Sequence, residues 1–350
     1  MAGIFQSGVF SMGFDMAPIT PFTINPAGAN SNITPYGFGY SWAITTIGTG
    51  TGLALNTNLT TLIAGWHYDV GTTLLGTNAI IATWWDVTAG AAQVTLRAYA
   101  DGHLAFFQGS GTGTQLGSSS AVGILTATNW IFLEAKVVIN GSAGSVELRV
   151  NGNSTPVITQ GSLNTAPTGN NWVSGLLFAS ASGGTAYIDD IYALDTTGTS
   201  PLNTYLGVVQ VRGDVPNNNS AVGGRNAWTP TTPTGSNYQN EANIPYNSAE
   251  YNASATAGQY DMFRFTALPA SVTSVLFMNE WAYIQLDSPG SRVVLLDCYS
   301  GGTDVVSSNV SPSVGNPTYY NLVITVDPHT GTTWGVTNAS SAELGVKILA

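Results

Sequence analysis

The chain has 350 residues and a formal net charge of −11, from 19 acidic and 8 basic side chains, and only 8% of it is charged. That length allows one large or two medium domains with real cores, and a charged fraction far below the roughly 25% of ordinary soluble proteins leaves Thr, Ser, Asn and Gly to solvate the surface. No Lys/Arg cluster exists to neutralise phosphates, which argues against a nucleic-acid partner, and no apolar run approaches the ~18 residues of a helical membrane span.

The single cysteine, Cys298, excludes an intrachain disulfide framework and any multi-cysteine metal site. It lies in the apolar run VVLLDCY and reads as a buried, inert thiol. The N-terminus, MAGIFQSGVFSMGFDMAP, has no basic n-region and its first charge is Asp15, so a secretory signal is not expected there. A chain made in the cytoplasm with the composition of a surface module fits a virion protein, synthesised inside the cell and working outside it.

In chain order, residues 1–35 are rich in Gly, Pro and Asn, and Pro18, Pro21 and Pro26 prevent regular sheet pairing. Two readings stand for this segment: an arm that anchors to neighbours, or an edge strand and loop of the first domain. Residues 36–200 then show a succession of strand-like runs: GFGYSWAITT, TTLIAGWHYDV, AIIATWWDV, QVTLRAYA, HLAFFQ, a hairpin over residues 130–153, SGLLFASA and AYIDDIYALD. Asp101-Gly102 between two of them predicts a two-residue type I′ turn. No stretch carries a capped 3.6-residue period, and many short strands between Gly/Asn/Ser turns imply an all-β sandwich.

The hairpin WIFLEAKVVINGSAGSVELRVNGN is the sharpest pattern in the sequence. Ile131, Leu133, Ala135, Val137 and Ile139 alternate with polar neighbours, as do Val146, Leu148 and Val150, which predicts one face on a core and one in water. A four-residue connection over Gly141–Gly144 pairs Val137 with Leu148 and Lys136 with Arg149, with Glu134–Arg149 and Lys136–Glu147 as diagonal neighbours.

Residues 196–206 read as the inter-domain connection, and LGVVQVRGDVP opens a second, smaller β domain over 206–350. A long irregular segment, 217–252, precedes the runs YDMFRFTAL, SVLFMNEWAYIQLD, RVVLLDCYS, YYNLVITVD and ELGVKIL, with turn signals at Ser288–Ser291 and Asp327–Gly331.

The strand WIFLEA, the strand GSVELRVNG and the later YIDDIYALD resemble, in that order, the concanavalin A-like jelly roll, in particular its laminin-G-like branch. The second half extends the likeness. LGVVQVRGDVP, AWTPTTPTGSNYQNEANIP, YDMFRF and DPHTGTTWGVTNASSAELGVKI are similar to a two-domain protein family of tailed bacteriophages and prophages, whose C-terminal domain ends in a D-P-x-T-G-x-x-W…N…E-x-G-V signature. The resemblance covers about residues 125–350. The first 35 residues depart from the short D-G-F-D opening associated with that family, with Gly13-Phe14-Asp15 as its remnant. The resemblance implies a concanavalin A-like jelly roll followed by a smaller β-sandwich and a non-enzymatic virion structural role as a capsid decoration, head fibre or tail-associated module. It also implies other virion proteins as partners and a homo-oligomer, expected as a homotrimer.

The chemistry sought elsewhere is sparse. Retaining glycosidases need two carboxyls about 5–5.5 Å apart, yet the six Glu supply no E-x-D-x-x-E strand. Asp189-Asp190, with Asp195 nearby, could supply oxygens for Ca²⁺, but neighbours on a strand point to opposite faces. The favoured reading has one carboxylate bonding loop amides and the other facing solvent. His67, His103 and His329 lack metal-site spacing, Gly109–Gly113 opens no helix that would make a phosphate loop, and no nucleophile elbow occurs. Catalytic residues, cofactors and metals are therefore not expected. The remaining candidates are Trp84, Trp85 and Trp172, as contacts for a host-surface glycan or a neighbouring subunit. Of Trp84 and Trp85, one must point inward and one outward.

Overall fold

The computed structural model describes residues 9–12, 29–31, 35, 41–45, 50–72, 78–110, 112–180, 184–197, 200–231, 235–242 and 249–349. They fall into two compact units, 1–213 and 214–350.

Unit 1 is an antiparallel jelly-roll β-sandwich. Its strands are β1 (Val9–Met12), β2 (Ala29–Ser31), β3 (Ser41–Ile44), β4 (Thr51–Leu59), β5 (Thr61–Asp69), β6 (Ala79–Asp86), β7 (Ala91–Ala98), β8 (Leu104–Gln108), β9 (Ile131–Val138), β10 (Gly144–Val150), β11 (Ile158–Leu163), β12 (Val173–Phe178) and β13 (Ala186–Leu194). The larger sheet runs β11-β10-β9-β5-β13-β3-β2, with β1 also on β13, and the smaller runs β4-β12-β6-β7-β8. Period-two alternation sends one face of each sheet into a shared core. Trp66, Trp84, Phe106 and Phe178 are fully buried there, with Trp66 and Phe178 edge-to-face at 5.4 Å. Each such side chain contributes roughly 1.5–3 kcal/mol by leaving water.

Strands β4 and β11 carry no run singled out in the sequence. Strand β11 is an edge strand whose central residues are exposed, so it lacks the apolar alternation that marks a strand. Residues 9–12 and 29–31 belong to the larger sheet, while Gly13-Phe14-Asp15 lies outside the described residues.

The hairpin forms, and Ile131, Leu133, Ala135, Val137, Val146 and Leu148 enter the core as the alternation predicts. Its register differs by two residues: Lys136 faces Glu147, Glu134 faces Arg149 and Val137 faces Val146. The cause is Asn140. Its side-chain oxygen accepts from the backbone N–H of Ser142 and Ala143, and its own N–H donates to Thr165 Oγ1 at 2.9 Å. Held by Thr165, Asn140 leaves the ladder and does not pair with Ser145. A two-residue shift keeps every side chain on its face.

The outer face of the hairpin, expected in water, is covered at Glu134, which is 1% exposed. The covering chain is 205–207, which the sequence placed where the inter-domain connection meets the second domain. Gly207 N–H donates to Glu134 Oε1 at 2.8 Å, Leu206 N–H to the Tyr192 hydroxyl, and the Arg149 guanidinium stacks 3.8 Å from the Tyr205 ring. These contacts tie 205–207 to unit 1, which as a compact unit extends to Gly213.

The Asp101-Gly102 turn joins β7 to β8, but as a type I turn with a following bulge rather than type I′. Only Gly102 has positive φ, +79°, with its N–H bonded to Tyr99 O and Tyr99 N–H to His103 O.

Unit 2 holds β14 (Asn218–Asn219), β15 (Thr229–Pro230), α1 (Asn237–Glu241), β16 (Asn252–Ala253), β17 (Tyr260–Arg264), β18 (Met278–Ile284), β19 (Val294–Ser300), β20 (Thr303–Val306), β21 (Thr318–Ile324), α2 (Val336–Ser341) and β22 (Glu343–Ile348). A five-stranded sheet runs β14-β17-β22-β19-β20, so the last strand of the chain is its centre. The ribbon β18-β21 packs on one side, around Cys298, Ile324, Trp334 and Met278. The two short helices are elements the sequence did not announce.

Candidate functional site

On β6 the two adjacent indoles separate. Trp84 is 0% exposed, 6.4 Å from Trp66 and 5.8 Å from Phe106. It is a core residue, and its candidacy as a ligand or subunit contact is corrected: pleating fixes it inward. Trp85 points the other way and is half-buried. Its cross-strand partner on β12 is Gly175, so no side chain from that position covers the ring.

Trp172 precedes β12 at the same end of the sheet and is also half-buried. Its loop is fastened to β6 and β7. Gln93 Nε2 donates to Asn170 O at 2.7 Å and to Trp172 O at 3.0 Å. Asp86 Oδ2 accepts from Thr168 Oγ1 at 2.9 Å and Asn170 Nδ2 at 2.7 Å, and Oδ1 from Ala89 N–H. Burial alone would raise the Asp86 pKa; these hydrogen bonds outweigh it and hold the carboxyl below its ordinary range. Trp85 and Trp172 therefore sit on fixed backbone, the arrangement that lets aromatic rings receive a sugar face at little entropic cost.

Further along the same outer face, β7 presents Gln93, Thr95 and Arg97, all buried. Arg97 Nη1 donates to Asn78 Oδ1 at 3.1 Å and Nη2 to Ser110 O at 3.0 Å, with the guanidinium 4.0 Å from the Phe107 ring centroid. The alternation in QVTLRA already puts Gln, Thr and Arg on one face. Their burial is what the sequence does not reveal.

The acidic candidates are occupied. Asp189 and Asp190 are both buried, which overturns the expectation that one faces solvent. A bulge interrupts the β13–β5 ladder between Asp189 and Tyr192, with Asp190 at φ +51°, and this releases the strict two-face alternation. Asp190 Oδ1 accepts Val211 N–H at 2.6 Å and its Oδ2 lies 3.0 Å from His67 Nδ1. Burial pulls the His67 pKa down to about 4. Asp195 caps Thr197. Among the described residues, no three His, Cys, Asp or Glu side chains gather as a metal site. Cys298 is buried and its thiol pKa is raised by that burial.

In unit 2 the C-terminal signature residues make several separate bonded contacts. Asp327 accepts from Ser300 Oγ at 2.7 Å, His329 N–H at 3.0 Å, Thr330 Oγ1 at 3.1 Å and Asn338 Nδ2 at 2.5 Å. Trp334 Nε1 donates to Ile324 O at 3.0 Å. Glu343 accepts from the Ser220 hydroxyl and Ala221 N–H. At Gly345 a Cβ would lie 2.0 Å from Asp261 O, so only glycine fits.

No family model and no curated protein matches the chain. Solved structures similar to it include a cellulose-induced protein, Cip1 (16% identity, 52% of this chain and 88% of that one, TM-score 0.37). Others are the carbohydrate-binding module CBM66 from Bacillus subtilis (10%, 55% and 99%, 0.31) and sheep galectin-11 (10%, 41% and 94%, 0.27). Likenesses this loose transmit no ligand and no activity.

Proposed function

We propose that the chain is a non-enzymatic bacteriophage virion structural protein, a capsid decoration, head fibre or tail-associated module that displays its jelly-roll unit on the particle as part of a homotrimer. The observation that supports this reading is the role of the C-terminal signature. Asp327, Thr330, Trp334, Asn338, Glu343 and Gly345 are each engaged in holding unit 2 together. A signature made of fold-holding residues suits a scaffold protein rather than a catalyst. In unit 1 the buried carboxylates Asp86, Glu134 and Asp190 likewise accept hydrogen bonds from loops, which supports display and binding over turnover. Mass spectrometry of purified particles, with light scattering of the isolated protein, tests the proposal. The protein in stoichiometric amount and a trimeric mass are expected; its absence from purified virions overturns the reading.

A second reading, compatible with the first, is adhesion to host glycans through the outer face of the smaller sheet of unit 1. The half-buried Trp85 opposite Gly175 favours it. A glycan array with wild type and Trp85→Ala should show binding that the variant loses, and no binding at millimolar glycan rejects it.

A further inference from the structure

Unit 2 buries two carboxyl groups that lack a bonded counter-charge. Glu280 on β18 is 5% exposed and Asp297 on β19 is fully buried. Glu280 faces Leu322 across the ribbon, and Leu322 packs on the core around Cys298, the residue after Asp297. The Glu280 carboxyl accepts the Gly345 N–H, but its Oε2 has no donor, and neither oxygen of Asp297 has one. Strand pairing explains the lack. Asp297 lies between Gly345 on β22, which has no side chain, and Val306 on β20, which has an apolar one. Arg225 is the cation beside Asp297, and it is engaged elsewhere. Its Nη2 donates to Asp304 Oδ2 at 2.8 Å, and its guanidinium lies 4.3 Å from the Tyr299 ring and 4.8 Å from the Tyr260 ring. Its Nη1 stays 3.9 Å from Asp297 Oδ2, beyond hydrogen-bond reach. Lys347 on β22 sits over the Tyr260 ring at 4.6 Å. Asp304 opposes ionisation at Asp297, and Asp297 opposes it at Glu280. Glu343 and Asp327, the other acids around this core, have hydrogen-bond donors of their own.

We propose that Glu280 and Asp297 form a proton latch in unit 2: both carry a proton while the unit is closed, and their loss as pH rises loosens the packing of the ribbon on the sheet. A buried carboxyl without donors is far more favourable neutral than ionised. Burial is the largest influence at both groups. It pushes the Asp297 pKa from 3.8 up to about 7 and that of Glu280 well above 4.5. Between about 4 and about 7 the folded unit holds a proton at Asp297 that the unfolded chain has released. The stability of unit 2 therefore declines as pH rises through that window. His67 in unit 1 acts the other way, its contribution being lost as pH falls. Through these groups the two units respond to acid in opposite directions.

The test follows Cys298, the single thiol of the chain, buried in the core between ribbon and sheet. The full native chain is labelled with a methanethiosulfonate reagent across the pH range. Each rate is divided by that of the urea-unfolded chain at the same pH, which removes the titration of the thiol itself and leaves the opening equilibrium. Protection should fall about tenfold or more from about pH 5 to about pH 8, since each pKa unit gained on folding is a tenfold factor in opening. Glu280→Gln and Asp297→Asn are neutral at every pH. Each should flatten the fall in part, and the double variant should flatten it most. Asp261 and Glu241, whose pKa values are also raised, keep their share in every variant. The readout is therefore the difference in slope from wild type, and a uniform loss of protection in a variant does not enter it. An equal slope in wild type and the double variant overturns the proposal. Wild-type protection that does not fall over this range overturns it without any variant, so a substitution that fails to fold leaves the proposal open to refutation.

Discussion

The Tyr192 hydroxyl donates to Glu134 Oε1 across a separation of 58 residues, and both side chains are buried. The contact joins β13 to the hairpin strand β9 on the side away from the core, and Gly207 N–H completes the set. Tyr192→Phe removes one of the two donors to a buried carboxylate and should destabilise unit 1 by about 1–3 kcal/mol. Urea denaturation followed by tryptophan fluorescence measures it; an unchanged midpoint would show that the contact contributes nothing.

The adjacent indoles of β6 should respond oppositely to truncation. Trp84→Ala opens a cavity between Trp66 and Phe106 and should cost about 3–5 kcal/mol. Trp85→Ala, on the half-buried face, should cost under about 1 kcal/mol. Thermal melts of the two variants side by side decide the matter, and equal losses would contradict the orientation.

His67 titrates with folding. Burial lowers its pKa from 6.5 to about 4 in the folded protein. Between those values the unfolded chain binds a proton that the folded chain does not, so stability is lost as pH falls from about 6.5 towards about 4. Stability against urea measured across that window should fall in wild type and fall less steeply in His67→Gln. Parallel slopes would exclude His67 as a cause.

Asp327 should govern acid sensitivity in unit 2. Burial opposes ionisation, but bonds from Asn338, Ser300, His329 and Thr330 outweigh it and depress the pKa below 3.8. A depressed carboxyl contributes stability above its unfolded pKa and loses it as pH falls through the folded one. Asp327→Asn should therefore be destabilised at pH 7, with the gap to wild type closing below about pH 4. A gap independent of pH would refute the argument.

Much of the fold was legible because its cause is local. The alternation of Ile131, Leu133, Ala135 and Val137 predicts the buried face of β9, and Trp84-Trp85 predicts one inward ring. What escaped depends on distant partners. The hairpin register turns on Thr165 reaching Asn140, and the burial of Glu134 on chain 205–207 folding back. The joint burial of Asp189 and Asp190 requires a bulge that no residue type announces. Strand β11 was missed because an exposed edge strand needs no apolar alternation. The candidate site divides likewise. Trp85 was visible by type, whereas the burial of Gln93, Thr95 and Arg97 was not.

The central position of β22 in its sheet has a consequence for timing during synthesis. Strands β17 and β19 are both released from the ribosome well before β22 lies between them. Unit 1 has all its described strands once residue 194 has emerged, and domains fold as units in order of emergence. Unit 2 instead waits, its inner strand edges unpaired, until residues 343–348 have left the exit tunnel. A nonsense codon or ribosomal stall shortly before residue 343 would thus yield a folded jelly roll trailing an unassembled, aggregation-prone tail.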